Sequence, residues 1–400
     1  MNSWLLDVTR IASRLGRGAL TGIDRVELAY LRHLLQPQFR TYGLLRTKAG
    51  VLLLNRTGLS SLDRWANGAP LPQDCDLMAK ATRRNDPLLG AIETQLRKTS
   101  IARAPVSLSH FALRRHLPQH IGYLNTGHAN LSAPMMRALR SVSGMKIGVM
   151  VHDTIPLDHP AYSRPDRIDA FAKKLRAVSD SADLVIHTAQ ATRTSTDAHF
   201  RQFGRVPNGV VAPLGVDVQS PNAAQLPPDL PLEQPFFLAV GTIEPRKNHA
   251  LLLDVWERLA GQMPDPPKLF IVGNKGWADA GTLARLEAGL PGVHVLHGVS
   301  DAAVAALMCR ARALLFPTLS EGFGLPAFEA ASLGLPVIAT ELPVFREILN
   351  DYPVYLAPHD IYSWQETVLA LTEGSAFGRK GRWTVPRWED HFSTALKAFE

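Results

Sequence analysis

The sequence predicts an α/β protein built from two doubly wound, Rossmann-like domains that face each other across a cleft. Three observations lead there. From Phe236 onward, short apolar runs of strand length alternate regularly with helical patterns. Earlier, the runs at 121–125, 146–151 and 183–188 each end in polar residues, as strands do when their C-terminal ends open on a crevice. Between the halves, Ser220 to Pro235 is proline-rich without a period and reads as a linker. The expected division is a first domain over 1–219, the linker over 220–235, a second domain over 236–385, and a terminal segment over 386–400.

Composition agrees with that division. The 400 residues, 46% hydrophobic, suffice for two cores. No run of eighteen apolar residues occurs, so no membrane span is predicted. The start, Met-Asn-Ser-Trp-Leu-Leu-Asp, lacks a basic leader, and a cytoplasmic location is expected. Cys75 and Cys309 suggest neither a disulfide framework nor a zinc site. The net charge of +7 is unevenly spread: residues 1–140 carry 20 Lys or Arg against 8 Asp or Glu, and the rest carry 23 against 28. The basic first half either meets a polyanion or an anionic lipid surface, the latter attaching the protein peripherally to the inner face of a membrane, or serves solubility. Nucleic acid is not an expected partner.

In chain order, Trp4 to Val8 reads as a strand and leads into a loop with Gly16, Gly18 and Gly22. A helix then starts with Thr21 as N-cap and Ile23, Val26, Tyr30, Leu31 and Leu34 on one face. This is strand, glycine loop, helix, but not G-x-G-x-x-G, since the third glycine comes a residue late. Tyr42 to Leu45 and Val51 to Asn55 form a hairpin across Lys48-Ala-Gly50. In 57–119, Arg83-Arg84, Arg97-Lys98 and Arg114-Arg115-His116 are interleaved with a helical stripe of Leu88, Leu89, Ile92 and Leu96. That stripe fits a bilayer surface and a packed helix equally. Further on, strand ends carry Thr126-Gly127-His128, His152-Asp153 and His187-Thr188.

Two segments of the second half carry chemistry. Arg312 to Phe316, Leu325 to Leu333 and Val337 to Thr340 form one βαβ unit. Its loop holds Glu321, Gly322, Phe323 and Gly324, and its helix Leu325 and Glu329. Glycines there permit close backbone approach, and free amides at the helix start favour an anion. Carboxylates eight positions apart can reach two ends of one ligand, one a sugar ring and the other a ribose diol. The other segment follows the strand at 236–240: Gly241-Thr-Ile-Glu244-Pro-Arg246-Lys247-Asn248. Two adjacent cations after a glycine turn can stabilise charge on a leaving diphosphate without a metal ion.

Ser-Glu-Gly-Phe-Gly-Leu-Pro around Glu321, with Glu329 eight residues on, resembles the E-x7-E motif of the family 4 (group 1) retaining glycosyltransferases, which have the GT-B fold. The 241–248 segment resembles that family's diphosphate-holding G-x5-K-N stretch. His152-Asp153 resembles its sugar-facing His-Asp position, and Thr-Gly-Ile-Asp-Arg-Val at 21–26 resembles one bacterial subgroup. The resemblance implies that Gly18, Thr21 and Gly22 lie under the donor's phosphates, and that 386–396 is a helix crossing back onto the first domain. It implies a hexosyltransferase using a nucleotide sugar and a glycan or lipid-linked acceptor in cell-surface polysaccharide synthesis, with His152, Asp153, Arg246, Lys247 and Glu321 in the reaction. Gly241, Gly273, Gly322 to Leu325 and Glu329 would bind the donor. No Asp-x-Asp motif stands out that would carry a divalent metal, so no metal or other cofactor is expected. Gly273-Asn-Lys-Gly276-Trp277 resembles a segment of mannose-transferring members, which favours GDP-mannose. Two alternatives stand: a sugar-nucleotide epimerase of the same fold, and a non-catalytic nucleotide-sugar-binding subunit.

Overall fold

The computed structural model describes residues 1–18, 20–374 and 383–400; the stretch 375–382, within the span expected for the second domain, lies outside the described residues. The first half forms an eight-stranded sheet from β1 (Ser3–Asp7), β2 (Arg40–Thr47), β3 (Gly50–Leu54), β4 (Ser100–Ala104), β5 (Gly122–Asn125), β6 (Lys146–Val151), β7 (Leu184–His187) and β8 (Asn208–Val211). Their order is β4-β3-β2-β1-β5-β6-β7-β8. The expected hairpin is β2–β3, paired antiparallel, and β4 adds antiparallel to β3; all other pairs are parallel. Along β1 the side chains alternate, Trp4 and Leu6 entering the core on one face and Leu5 the core on the other. Both faces are therefore covered, which is why the parallel strands read as unbroken apolar runs.

The second sheet is all parallel. It comprises β9 (Phe236–Val240), β10 (Lys268–Val272), β11 (Val293–Leu296), β12 (Leu314–Phe316), β13 (Val337–Thr340) and β14 (Val354–Leu356), in the order β11-β10-β9-β12-β13-β14. This is the doubly wound arrangement in which strand order reverses between the first and fourth strands, here β9 and β12. The loops leaving those two neighbours are the two segments singled out above. Residues far apart in sequence thus meet at the switch point.

The helix Trp388–Lys397 docks on the first domain. Phe392 stacks on His33 at 3.9 Å between ring centroids and meets Tyr30 edge-on at 5.0 Å. His391 Nε2 lies 2.8 Å from the Tyr30 hydroxyl, and its Nδ1 is 3.0 Å from the Ala212 carbonyl. One neutral tautomer satisfies both contacts, Nδ1–H donating to the carbonyl and Nε2 accepting from the phenol.

Two local readings change. The chain after β1 is not a plain glycine loop, because Thr9–Arg14 coil into a short helix whose Ile11 and Ala12 are buried. The stripe of Leu89, Ile92 and Leu96 is core: the Pro87–Lys98 helix turns it inward, so that face is closed to a bilayer. Leu77, Leu108 and Phe111 remain exposed near the basic clusters.

Candidate functional site

Between the domains lies a cleft of about 390 Å³, within the size range of small-molecule sites. Thr21, Gly22, His152, Asp153, Gly241, Arg246, Lys247, Gly273, Glu321, Gly322, Phe323, Gly324, Leu325 and Glu329 all line it. Gly18 alone of the expected residues does not. A larger groove of about 1160 Å³ runs along the Gly22–Leu34 helix and the terminal helix, sharing Leu20, Arg25, Val26, Asp301 and Leu325 with the cleft. It lacks the His-Asp pair, the cations and both glutamates, so the ligand chemistry belongs to the smaller space.

The two segments of the second domain form one cluster, 74 positions apart in the chain. Lys247 Nζ donates to Glu321 Oε1 at 2.5 Å, Arg246 Nη1 stands 2.7 Å from the same oxygen, and Thr318 Oγ1 donates to it at 3.1 Å. Among the described residues no protein donor reaches Glu321 Oε2. Arg246 also pairs with Glu244 at 2.7 Å and donates to the Ser320 carbonyl. Lys247 lies over the Phe316 ring at 4.6 Å. Glu321 therefore does not project freely toward a sugar, as its loop position suggested; the cations hold it.

The electrostatics follow from burial. Burial alone would raise the Glu321 pKa, but Arg246 and Lys247 overcome it and hold the carboxyl below its usual range. Burial depresses the Lys247 ammonium, with Glu321 partly offsetting it. Burial also pulls on Arg246, but Glu321, Glu244 and Asp153 keep its pKa above the ordinary value. Asp153 is pushed up by burial and drawn back by Arg246. Across the cleft, burial lowers His152 to about 4, and its Nε2 sits 2.6 Å from the Thr126 carbonyl. His152 is thus neutral near pH 7, with Nε2–H as donor.

Thr21 works as expected at the helix start, with Asp24 completing the cap: its carboxylate accepts from the Thr21 N–H at 2.8 Å and the hydroxyl at 2.7 Å. Asp24 also holds Arg10 and Arg14. Gly241, at φ +148°, lets its backbone pass beside the Lys247 stem. Gly322 has a different reason, since a Cβ there would stand 2.1 Å from the His152 carbonyl of the other domain. Its own carbonyl accepts from Thr188 and Thr192 Oγ1, both at 3.1 Å.

Sequence reasoning missed Arg25. It projects from the first domain to within 2.5 Å of Glu329 Oε1. It sits one turn inside the helix that Thr21 caps, inside the segment that carried a family resemblance, but nothing in the sequence gives its partner. One Asp-x-Asp triplet does occur in the chain, Asp74-Cys75-Asp76. Asp76 caps the Leu77–Thr82 helix and pairs with Arg97 at 2.7 Å, and it does not line the cleft.

Two domains with mainly parallel sheets, a switch-point cleft between them and a terminal helix returning to the first domain define the GT-B class of fold. Its solved neighbours agree: Anabaena Alr3699/HepE superposes with a TM-score of 0.62 at 13% identity, covering 100% of this chain and 97% of that one. Residues 225–380, within the second half of the chain, match the family described as glycosyl transferases group 1. Over 268 residues the chain is 33% identical to the serotype-specific mannosyltransferase WbdA of Escherichia coli, covering 62% of this chain and 33% of WbdA. It is 28% identical over 255 residues to O-antigen chain mannosyltransferase B of Escherichia coli, covering 58% of this chain and 65% of that protein. The chain thus spans about one third of the length of WbdA.

Proposed function

We propose that this protein is a retaining, metal-independent glycosyltransferase that moves a hexose, mannose favoured, from a nucleotide sugar to a glycan or lipid-linked glycan in cell-surface polysaccharide synthesis. The observation that carries the reading is the Arg246–Lys247–Glu321 cluster at the β9/β12 switch point, opposite His152 and Asp153. Two cations, Lys247 buried and Arg246 partly so, preorganised by protein contacts, suit a diphosphate leaving group, whose charge grows as the glycosyl bond breaks. A diphosphate arriving there offers the cations a second anion and loosens their hold on Glu321. The carboxylate then serves the sugar. The names of the relatives, mannosyltransferases of O-antigen synthesis among them, support mannose and a glycan acceptor. GDP-mannose is the favoured donor.

Incubation with GDP-mannose and a panel of UDP-, dTDP- and ADP-sugars, with and without EDTA, tests this. Release of free nucleoside diphosphate with transfer to an acceptor is expected, undiminished by chelation. An isomerised donor would point to an epimerase, and neither product to a binding subunit. A strict need for a divalent metal overturns the metal-independent reading.

A further inference from the structure

Arg25 belongs to the Gly22–Leu34 helix of the first domain, and Glu329 to the Leu325–Ser332 helix of the second. Their ion pair at 2.5 Å therefore spans the cleft that both line. The other arm of the guanidinium, Nη2, donates to the Asp217 carbonyl at 3.0 Å, which fixes its orientation. The Glu329 side chain is only 11% exposed. Arg25 stands against Oε1 as an ion pair without a well-aligned hydrogen bond, and among the described residues no protein donor bonds to Oε2. A buried carboxylate half held by protein and half open to a cleft is built to accept from a ligand.

We propose that Arg25 is a positioning residue for the donor: from the opposite domain it holds one oxygen of Glu329, leaving the other oxygen to the ribose hydroxyl pair. This rests on the nucleotide-sugar reading above and adds that the diol acceptor is assembled from both domains. The charged groups bearing on Glu329 are Arg25 and, from the Asp301–Met308 helix, Asp301; Asp217 acts on Arg25. Burial raises the Glu329 pKa, Arg25 opposes the rise and Asp301 adds to it. Without Arg25, the carboxyl takes up a proton more readily and stops accepting.

The test is isothermal titration of GDP, UDP, ADP and dTDP between pH 6 and 8.5, on the parent, R25Q, R25K, E329Q and R25Q/E329Q, with circular dichroism to verify folding. The parent should bind a ribonucleotide with little pH dependence. R25Q should bind it at least tenfold more weakly at pH 6, with the gap narrowing toward pH 8.5, while kcat at saturating donor stays close to the parent's. R25K should recover most of the affinity, and the double variant should be no weaker than E329Q. Binding of dTDP, which lacks the 2′-hydroxyl, should be indifferent to R25Q. Unchanged affinity in R25Q, a loss uniform with pH, or additive losses in the double variant overturns the proposal. Should R25Q fail to fold, E329Q decides: weaker binding of the ribonucleotides than of dTDP, relative to the parent, supports the diol acceptor, and unchanged ribonucleotide affinity overturns it. A parent that binds none of the four nucleotides overturns the nucleotide-sugar reading itself, and this proposal with it.

Discussion

Replacing Glu321 by Gln tests the cluster at its centre. The substitution keeps volume and removes the one carboxylate that Lys247 and Arg246 share, at 2.5 and 2.7 Å. The Lys247 side chain is 9% exposed and that of Glu321 8%, so solvent cannot take over. Breaking a buried pair by deleting one partner typically costs ~3–5 kcal/mol, because an uncompensated charge stays buried. For a domain of this size each kcal/mol moves Tm by about 2–4 °C, so a fall of roughly 6–20 °C is expected. The pH dependence has a definite sign. In the variant Lys247 loses the partner that offset its burial, and its folded pKa falls further below that of the unfolded chain. Between those two values the unfolded state binds more protons, so the variant regains stability as pH rises from neutral into the alkaline range. Scanning calorimetry at several pH values measures both effects. A variant within 2 °C of the parent at pH 7 refutes the argument, as does one that loses stability on alkalinisation where the parent does not.

Arg246→Ala and Lys247→Ala should each lower kcat by at least tenfold, since losing a preorganised charge partner costs ~2.7–4 kcal/mol of barrier; Glu329→Ala should instead raise the donor KM, because a ribose contact is alike in ground and transition states. Steady-state kinetics with saturating acceptor separate the two, and the reverse pattern refutes the division of roles. Burial lowers His152, His249 and His391 to about 4, below the ordinary 6.5. Each contributes stability that is complete above about pH 6.5 and lost as pH falls toward 4, at ~1.4 kcal/mol per pH unit per group. Urea unfolding at pH 7 and pH 5 checks this, and equal midpoints would count against it. If the basic first half attaches to membranes, vesicles with anionic lipid should bind the protein at low salt and release it near 0.5 M, as screening shortens the Debye length; no flotation at low salt ends that idea.

The second domain was legible because its inner strands, β9, β10, β12 and β13, are buried on both faces, so each reads as an apolar run and each intervening helix as a change of period. The switch-point loops were legible by their glycines and charges. Contacts across the fold were not. Nothing local shows that Lys247 reaches Glu321 or that Arg25 crosses to Glu329, because both pairings are made by topology. Thr9–Arg14 is too short to show a helical period, and β4 is an edge strand with half its side chains exposed, so neither stands out from its neighbours. The Leu89–Leu96 stripe showed which face is apolar but not what covers it.

Gly322 bears on how ligand and shape are coupled. Its carbonyl is bonded to two threonines of the facing domain, and its missing side chain is what lets the His152 backbone lie against it. A loop tied in this way cannot yield to an entering ligand by its own motion alone; any retreat breaks hydrogen bonds worth ~1 kcal/mol each. Occupancy and domain separation therefore share one coordinate. A single methyl group at Gly322 acts as a wedge along it, and a Gly322→Ala chain should show a larger radius of gyration in solution scattering while each domain keeps its fold.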